Sequence, residues 1–507
     1  MKKKTHLYIF LVLIILTIIA ALVPFIWASK YAYPWADDFG YGANPHLIFR
    51  STGSVFAAIG AAFARTVEAY LTWQGTYTSC FLMALQPGVF SVKLYHLTGA
   101  MMITAMFVSY YILFNSILRK VFKASKTITW CIFLLTTFIS IEGVDGKAEA
   151  FTWFNSAVHY TFGHALLMVF LGLTFLYMQD TEQKRPLLNC ILISILGLLA
   201  AGVNNITVFG GLLTLIIFIG CSMLYLTIWG KRNYKIVFRI LPMTITYIIG
   251  TVINLTAIGN KKRMVLVTDK TNGLFVTAKN AFVLSNAFIQ RHFSLVTLAF
   301  ILITCILTWY MITQEEVLKN VDFKFPLPGL ITFISYCLLS ALYAPSTYLD
   351  ASTEITIGYI NGNLGVRRVA NCVYFAFILL LVLNIFYYCA WLYKKNFNYH
   401  NSILGTSIVC ISVVMTILSI KSQIIETPGK YLTSASISDL SLSTAQYYGY
   451  QMALNFQILE TDDAVVTVSP IAVDPFVLYP RDASDWKEGV RTYYGKDEVN
   501  YDHEPYF

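Results

Sequence analysis

Charge is what this chain has least of. Only 12% of its 507 residues are Asp, Glu, Lys or Arg, and no acidic residue falls well inside an apolar run. The first scarcity excludes an ordinary soluble domain, in which about a quarter of residues are charged. The second argues against a proton relay or ion-coupled transporter, which keeps an ionisable side chain at membrane depth. The nine cysteines are scattered, only Cys80 lies clearly outside an apolar segment, and none follows Cys410. They form neither a disulfide framework nor a metal-ligand spacing. No internal repeat, low-complexity segment or nucleic-acid signature is present.

Hydrocarbon is what the chain has instead. Hydrophobic residues make up 57% and the mean hydropathy is +0.62. About eleven apolar segments are long enough to read as crossings of a hydrocarbon core of ~30 Å. They are residues 7–27, 92–118, 127–141, 161–178, 187–202, 206–229, 237–257, 294–311, 328–343, 371–391 and 403–420. The expected fold is therefore an all-α polytopic membrane protein. The two segments around Asn204-Asn205 can also be read as one broken hairpin. The run after "MKKK" is too long for a signal peptide and lacks a cleavage pattern, so it reads as an anchor. Lys and Arg are several times denser in one set of short loops than in the long ones, which puts the N-terminus in the cytoplasm. An odd helix count then leaves the C-terminus outside. The net charge of +9 fits short loops facing anionic lipid.

The expected outer loops are long: 28–91, 142–160, 258–293 and 344–370. Loops beyond about 15 residues are usually functional or disordered, and the aromatics here speak against disorder. Two stretches, "SVFAAIGAAFARTVEAYLTWQG" and "KNAFVLSNAFIQRHF", have helical apolar spacing. They read as amphipathic helices on the membrane surface or packed on the bundle. Residues 1–420 form the transmembrane module. Residues 421–507, with 13 acidic and 6 basic side chains, form a small outward α+β part. There "AVVTVSPIAV" and "PFVLYP" are expected strands and "STAQYYGYQMALNFQIL" an expected helix.

Nine carboxylates fall in the four expected outer loops: Asp37, Asp38, Glu68, Glu142, Asp145, Glu149, Asp269, Asp350 and Glu354. The stretch "YAYPWADDFGYG" sets Asp37 and Asp38 side by side just after the first apolar run. Either can cap the helix that follows. Adjacent like charges raise one pKa, and a carboxylate at the interface can take a proton from a hydroxyl. The stretch "EGVDGKAEAFTWFNSAVHY" spaces Glu142, Asp145 and Glu149 three and four apart, one face if the segment is helical. They read either as a solvated helix start or as site acids. Trp153, Asn155, His159 and Tyr160 suit a sugar, with aromatic faces for C–H surfaces and amides for hydroxyls. Lys261, Lys262, Arg263, Arg367 and Arg368 break the positive-inside trend. They suit phosphate oxygens or lipid headgroups.

The acidic motif after helix one, the 54–73 helix and the second-loop acids resemble the GT-C class of integral-membrane glycosyltransferases. More narrowly, "ADDFGYG", "WQGTYTSCFLMALQP" and "AFTWFNSAVHYTFGHAL" resemble a group of bacterial membrane proteins thought to glycosylate cell-surface polymers. The resemblance covers the first third of the chain; the rest matches in architecture. It implies a polyprenyl-phosphate-linked sugar donor and an inverting displacement, with Asp37 or Asp38 as base. Glu142, Asp145 and Glu149 would orient the acceptor or bind a metal, and Arg367 and Arg368 would hold the phosphate. The acceptor would be a surface glycopolymer outside a plasma membrane. A polyprenyl-phosphate glycosyltransferase and a flippase would act in the same pathway. No cofactor is required; the carboxylates permit Mg or Mn. The rival readings are a lipid-linked glycan flippase or exporter, a polymer ligase and a surface scaffold.

Overall fold

A computed structural model describes residues 5–180, 182, 184–228, 234–267, 270–349, 367–396, 410, 414, 427–478 and 487–502. Asp269, Asp350, Glu354 and nearly all of the 403–420 segment lie outside the described residues. The other ten apolar segments are helices. Among the described residues, seven helices are long and apolar enough to cross a membrane, among them Thr5–Ser29, Asn205–Ile228, Leu295–Gln314 and Arg367–Lys394. A further pair, Leu241–Leu255 and Ile258–Leu266, passes the same test together but is bent by 44°, the shape of a broken span or of a re-entrant loop. The expected count of eleven is thus met only in part. The helices Pro186–Ala200 and Pro328–Ala341 have 15 and 14 residues. At 1.5 Å per residue they reach only ~20 Å.

Breaks between helices have local causes. Asn204 accepts the Thr207 N–H at 2.9 Å and so starts the Asn205–Ile228 helix, while its amide donates to His159 O at 2.7 Å. The Asn204-Asn205 break is therefore a capped turn between two helices. Lys261, Lys262 and Arg263, expected in a loop, lie on the Ile258–Val267 helix. The Val55–Thr72 helix begins on a Ser54 cap and passes the length and hydropathy test for a span. Its buried face is Ala58, Ala61, Ala62 and Ala69, small residues that let helices approach closely, while Phe56, Phe63 and Val67 are exposed.

The long connections gather at one end of the bundle with the C-terminal part, within one continuous buried cluster. His46 stacks on Tyr493 at 4.0 Å, and Phe39 meets Tyr493 and Phe456. The C-terminal part has helices Leu432–Ser441, Thr444–Leu459 and Lys487–Tyr494, and two parallel strands, Val465–Val468 and Glu498–Tyr501. The first strand and the Thr444–Leu459 helix lie where the sequence puts them. The described part of "PFVLYP" is not a strand. The N–H groups of Phe476 and Val477 donate to the buried Asp439 carboxylate, both at 3.0 Å, in place of a ladder. At the other end, connections are short, and Lys394 donates to the carbonyls of Leu318 and Val321.

Candidate functional site

The two aspartates of "WADDFG" have opposite environments. Both lie in the first turn of the Asp37–Thr52 helix, whose N-cap is Ala36, with φ 47°, so neither aspartate is the cap. Asp38 is 0% exposed, while Asp37 is exposed. Three donors surround the Asp38 carboxylate: the Trp35 N–H at 2.9 Å, the Tyr95 hydroxyl at 2.5 Å and the Asn155 N–H at 3.0 Å. Gln86 donates to its carbonyl at 2.6 Å, and the Tyr95 oxygen accepts the Phe154 N–H at 3.0 Å. The Trp153 indole donates to Trp35 O at 3.1 Å. Asp38 thereby ties the two expected outer loops together. Burial outweighs these donors and pushes its carboxyl up to about 7.

Asp37 looks the other way. Its charge and those of Arg263 and Arg368 act together on the Tyr160 hydroxyl. Arg263 and Arg368 also act on His159. Tyr41, one helical turn beyond Asp37, accepts from the Gln74 amide at 2.7 Å and lies under Arg65 at 5.1 Å. Gln74 in turn accepts from Arg263 at 2.8 Å, and Arg263 stacks over Trp73 at 4.8 Å. Arg368 sits 5.6 Å over the buried Trp153 ring. His159 packs edge-on against Tyr160 at 4.8 Å. The result is exposed Asp37 with Arg263, Arg368 and several aromatic rings, while Arg65 pairs with the exposed Glu68 at 3.0 Å.

Unpartnered polar atoms lie beside this group. Asn155 is buried, yet neither its amide oxygen nor its amide nitrogen has a hydrogen-bond partner. His159 Nδ1 is in the same condition. A buried polar atom without a partner costs about 1–3 kcal/mol, and such groups are a common mark of ligand sites.

The other expected site residues are dispersed. Glu142 ends the Lys126–Glu142 helix, and residues 143–147 do not continue it, so the three acids do not share a helix face. Glu142 is buried and accepts the Thr433 hydroxyl and the Thr433 N–H, at 2.5 and 3.1 Å. It anchors the start of the Leu432–Ser441 helix, where a carboxylate suits the helix dipole. Asp145 pairs with Arg291 at 3.2 Å and His292 at 3.5 Å. Glu149 is buried. Lys261 and Lys262 are exposed, and Arg367 points away from its neighbour, against Gly146.

Among the described residues, no three His, Cys, Asp or Glu side chains gather to hold a metal. The charged side chains that act with Asp37 on Tyr160 and Tyr41 are guanidiniums, so this donor set does not fit a divalent cation. Tyr41, Arg65, Trp73 and Gln74 were not singled out for the site from sequence. The signal for Tyr41 was there, four residues after Asp37.

No family model matches the chain, and no curated protein matches it. The number of long apolar helices marks a multi-pass helical membrane protein.

Proposed function

We propose that this protein is a membrane glycosyltransferase of the plasma membrane, active on the outer face. It moves a sugar from a polyprenyl-phosphate donor to a hydroxyl of an extracytoplasmic glycopolymer. The observation that carries the reading is exposed Asp37 one helical turn from Tyr41, whose partner Gln74 also accepts from Arg263, with Arg368 over the Trp153 ring. A base and an anion clamp side by side are what a displacement at a sugar phosphate needs.

In this mechanism Asp37 accepts the proton of the acceptor hydroxyl. The acceptor oxygen attacks the anomeric carbon on the face opposite the phosphate. The bond from that carbon to the phosphate oxygen breaks, and polyprenyl phosphate leaves with the electron pair. Arg263 and Arg368 hold the leaving charge, which they bind more strongly as it develops. Asn155 and His159 offer unpartnered polar atoms to the sugar hydroxyls, and Trp153 with Tyr160 offers apolar faces. Asp38 positions this wall without touching the acceptor, since donors occupy both its oxygens.

The test is transfer in membrane vesicles with radiolabelled polyprenyl-phosphate monosaccharides. Label appearing on polymer supports the reading. Movement of labelled lipid between leaflets without transfer would replace it with a flippase.

A further inference from the structure

A polar cavity lies on the other side of Arg367, and the two adjacent arginines divide between it and the Asp37 group. Arg368 turns to Trp153, whereas Arg367 lines a cavity of about 600 Å³. Its wall carries Lys147, Arg291, Arg367 and Lys430 against one lining carboxylate, Asp145. Asp145 already faces Arg291 and His292. Behind the wall, buried Glu142 and Glu149 also act on Lys147. Glu142 is held by Thr433. Glu149 lies at Gly146, where a Cβ would come within 2.7 Å of both its carboxylate and Arg367.

Among the described lining residues the cations remain in excess, Lys147, Arg291, Arg367 and Lys430 against Asp145. Lys147 is buried and donates only one described hydrogen bond, to Val144 O at 3.1 Å. Burial and the nearby Arg367 pull its ammonium down to about 8, though the nearby carboxylates oppose them. Arg367 Nε is buried without a hydrogen-bond partner. Tyr374, Tyr431 and Phe476 complete the wall with apolar ring surface. The volume is that of a site for a ligand of one or two sugar units. Cations that converge with unpartnered N–H groups suit phosphate oxygens, and the rings suit a sugar or polyol backbone.

We infer that this cavity binds a phosphodiester-linked glycopolymer segment, which makes the acceptor an anionic polymer. The acceptor role rests on the glycosyl-transfer reading; the binding does not. The cavity and the Asp37 group meet at the start of one helix, Arg367–Lys394, so a segment held in one would lie next to the other.

The test is calorimetric titration of the full chain in detergent with a glycerol-phosphodiester oligomer. A neutral dextran oligomer and inorganic phosphate serve as comparisons. The wild type binds the phosphodiester oligomer, more weakly as salt rises, and dextran at least tenfold more weakly. Arg367→Gln and Lys430→Gln each weaken the oligomer roughly tenfold, the scale of one charge-assisted hydrogen bond. Lys430 is exposed, so that variant keeps the test alive if the other does not fold. Unchanged affinity in Lys430→Gln and Arg367→Gln overturns the inference. Equal affinity for dextran does so too, as does displacement of the oligomer by nanodiscs of anionic lipid. Asp37→Asn keeps oligomer binding. In the wild-type protein, failure of the transfer reading appears as no transfer with oligomer binding intact, and failure of this inference as transfer without oligomer binding.

Discussion

Two polar networks lie within a few residues of each other in this protein and are built in opposite ways. Around Asp38 the carboxylate is enclosed, and every oxygen has a donor from a different piece of chain. Around Tyr160 the charges sit at a surface, and Asn155 and His159 keep polar atoms unpartnered. The contrast runs through one residue. The Asn155 N–H completes the Asp38 network, while its side chain is left to the other. A carboxylate with donors on both oxygens is held in place, whereas side-chain atoms without partners can still take up hydrogen bonds from a ligand or solvent. The adjacent acids that looked like one unit in sequence are therefore a buried fastener and an exposed carboxylate, the one to which the proposed mechanism gives the proton.

The largest effect should come from the second network. Replacing both Arg263 and Arg368 by Gln removes two charge-assisted contacts to the leaving phosphate, and kcat/KM should fall about 10²–10⁴-fold. The thermal midpoint should fall much less than activity, since half-buried Arg368 gives up its stacking on Trp153 and exposed Arg263 one bond to Gln74 and its stacking on Trp73. A collapse of stability would merge the two networks into one.

Asp38→Asn should act on the first. Its amide nitrogen must face one of the three donors, leaving a buried group unpaired at about 1–3 kcal/mol. The readout is the thermal midpoint in detergent. The same carboxyl has a pH signature. Its folded pKa, about 7, lies above the ordinary carboxyl value, so the folded state holds the proton more tightly. That contribution favours folding at low pH and is lost as pH rises from about 4 to 7. Asp439, pushed up to about 6 by burial, adds the same sign over pH 4 to 6. In Asp38→Asn the slope should persist to about 6 and flatten above it. Guided by the same contrast, Thr433→Val should have the smallest effect, about 1 kcal/mol, because Glu142 keeps the Thr433 N–H. It should show as easier proteolysis near residue 432.

Much of the bundle was legible because apolar length is a strong signal: ten of the eleven runs are helices. The span count was not, because 14 or 15 residues make a helix without making a crossing. The strand Glu498–Tyr501 escaped notice because "EVNY" has no apolar run, and it pairs with Val465–Val468 across the intervening Lys487–Tyr494 helix. In the candidate site, Asp37, His159, Tyr160, Arg263 and Arg368 were singled out by residue type and position. What type cannot tell is direction. Asp38 turns inward and Asp37 outward, and Arg367 and Arg368 part. Glu142 and Asp145 go to partners over a hundred residues away, Thr433 and Arg291. Those choices are made by packing between distant segments, which no local spacing encodes.

The most direct measurement sets Asp37→Asn beside Asp38→Asn, reading single-turnover sugar transfer and thermal midpoint on the same purified samples. Asp37→Asn should keep the wild-type midpoint and bound donor while losing transfer 10²–10⁴-fold. Asp38→Asn should lose stability first and transfer only in proportion. Wild-type transfer by Asp37→Asn, or loss of transfer without loss of stability in Asp38→Asn alone, would contradict the division of labour between these two residues.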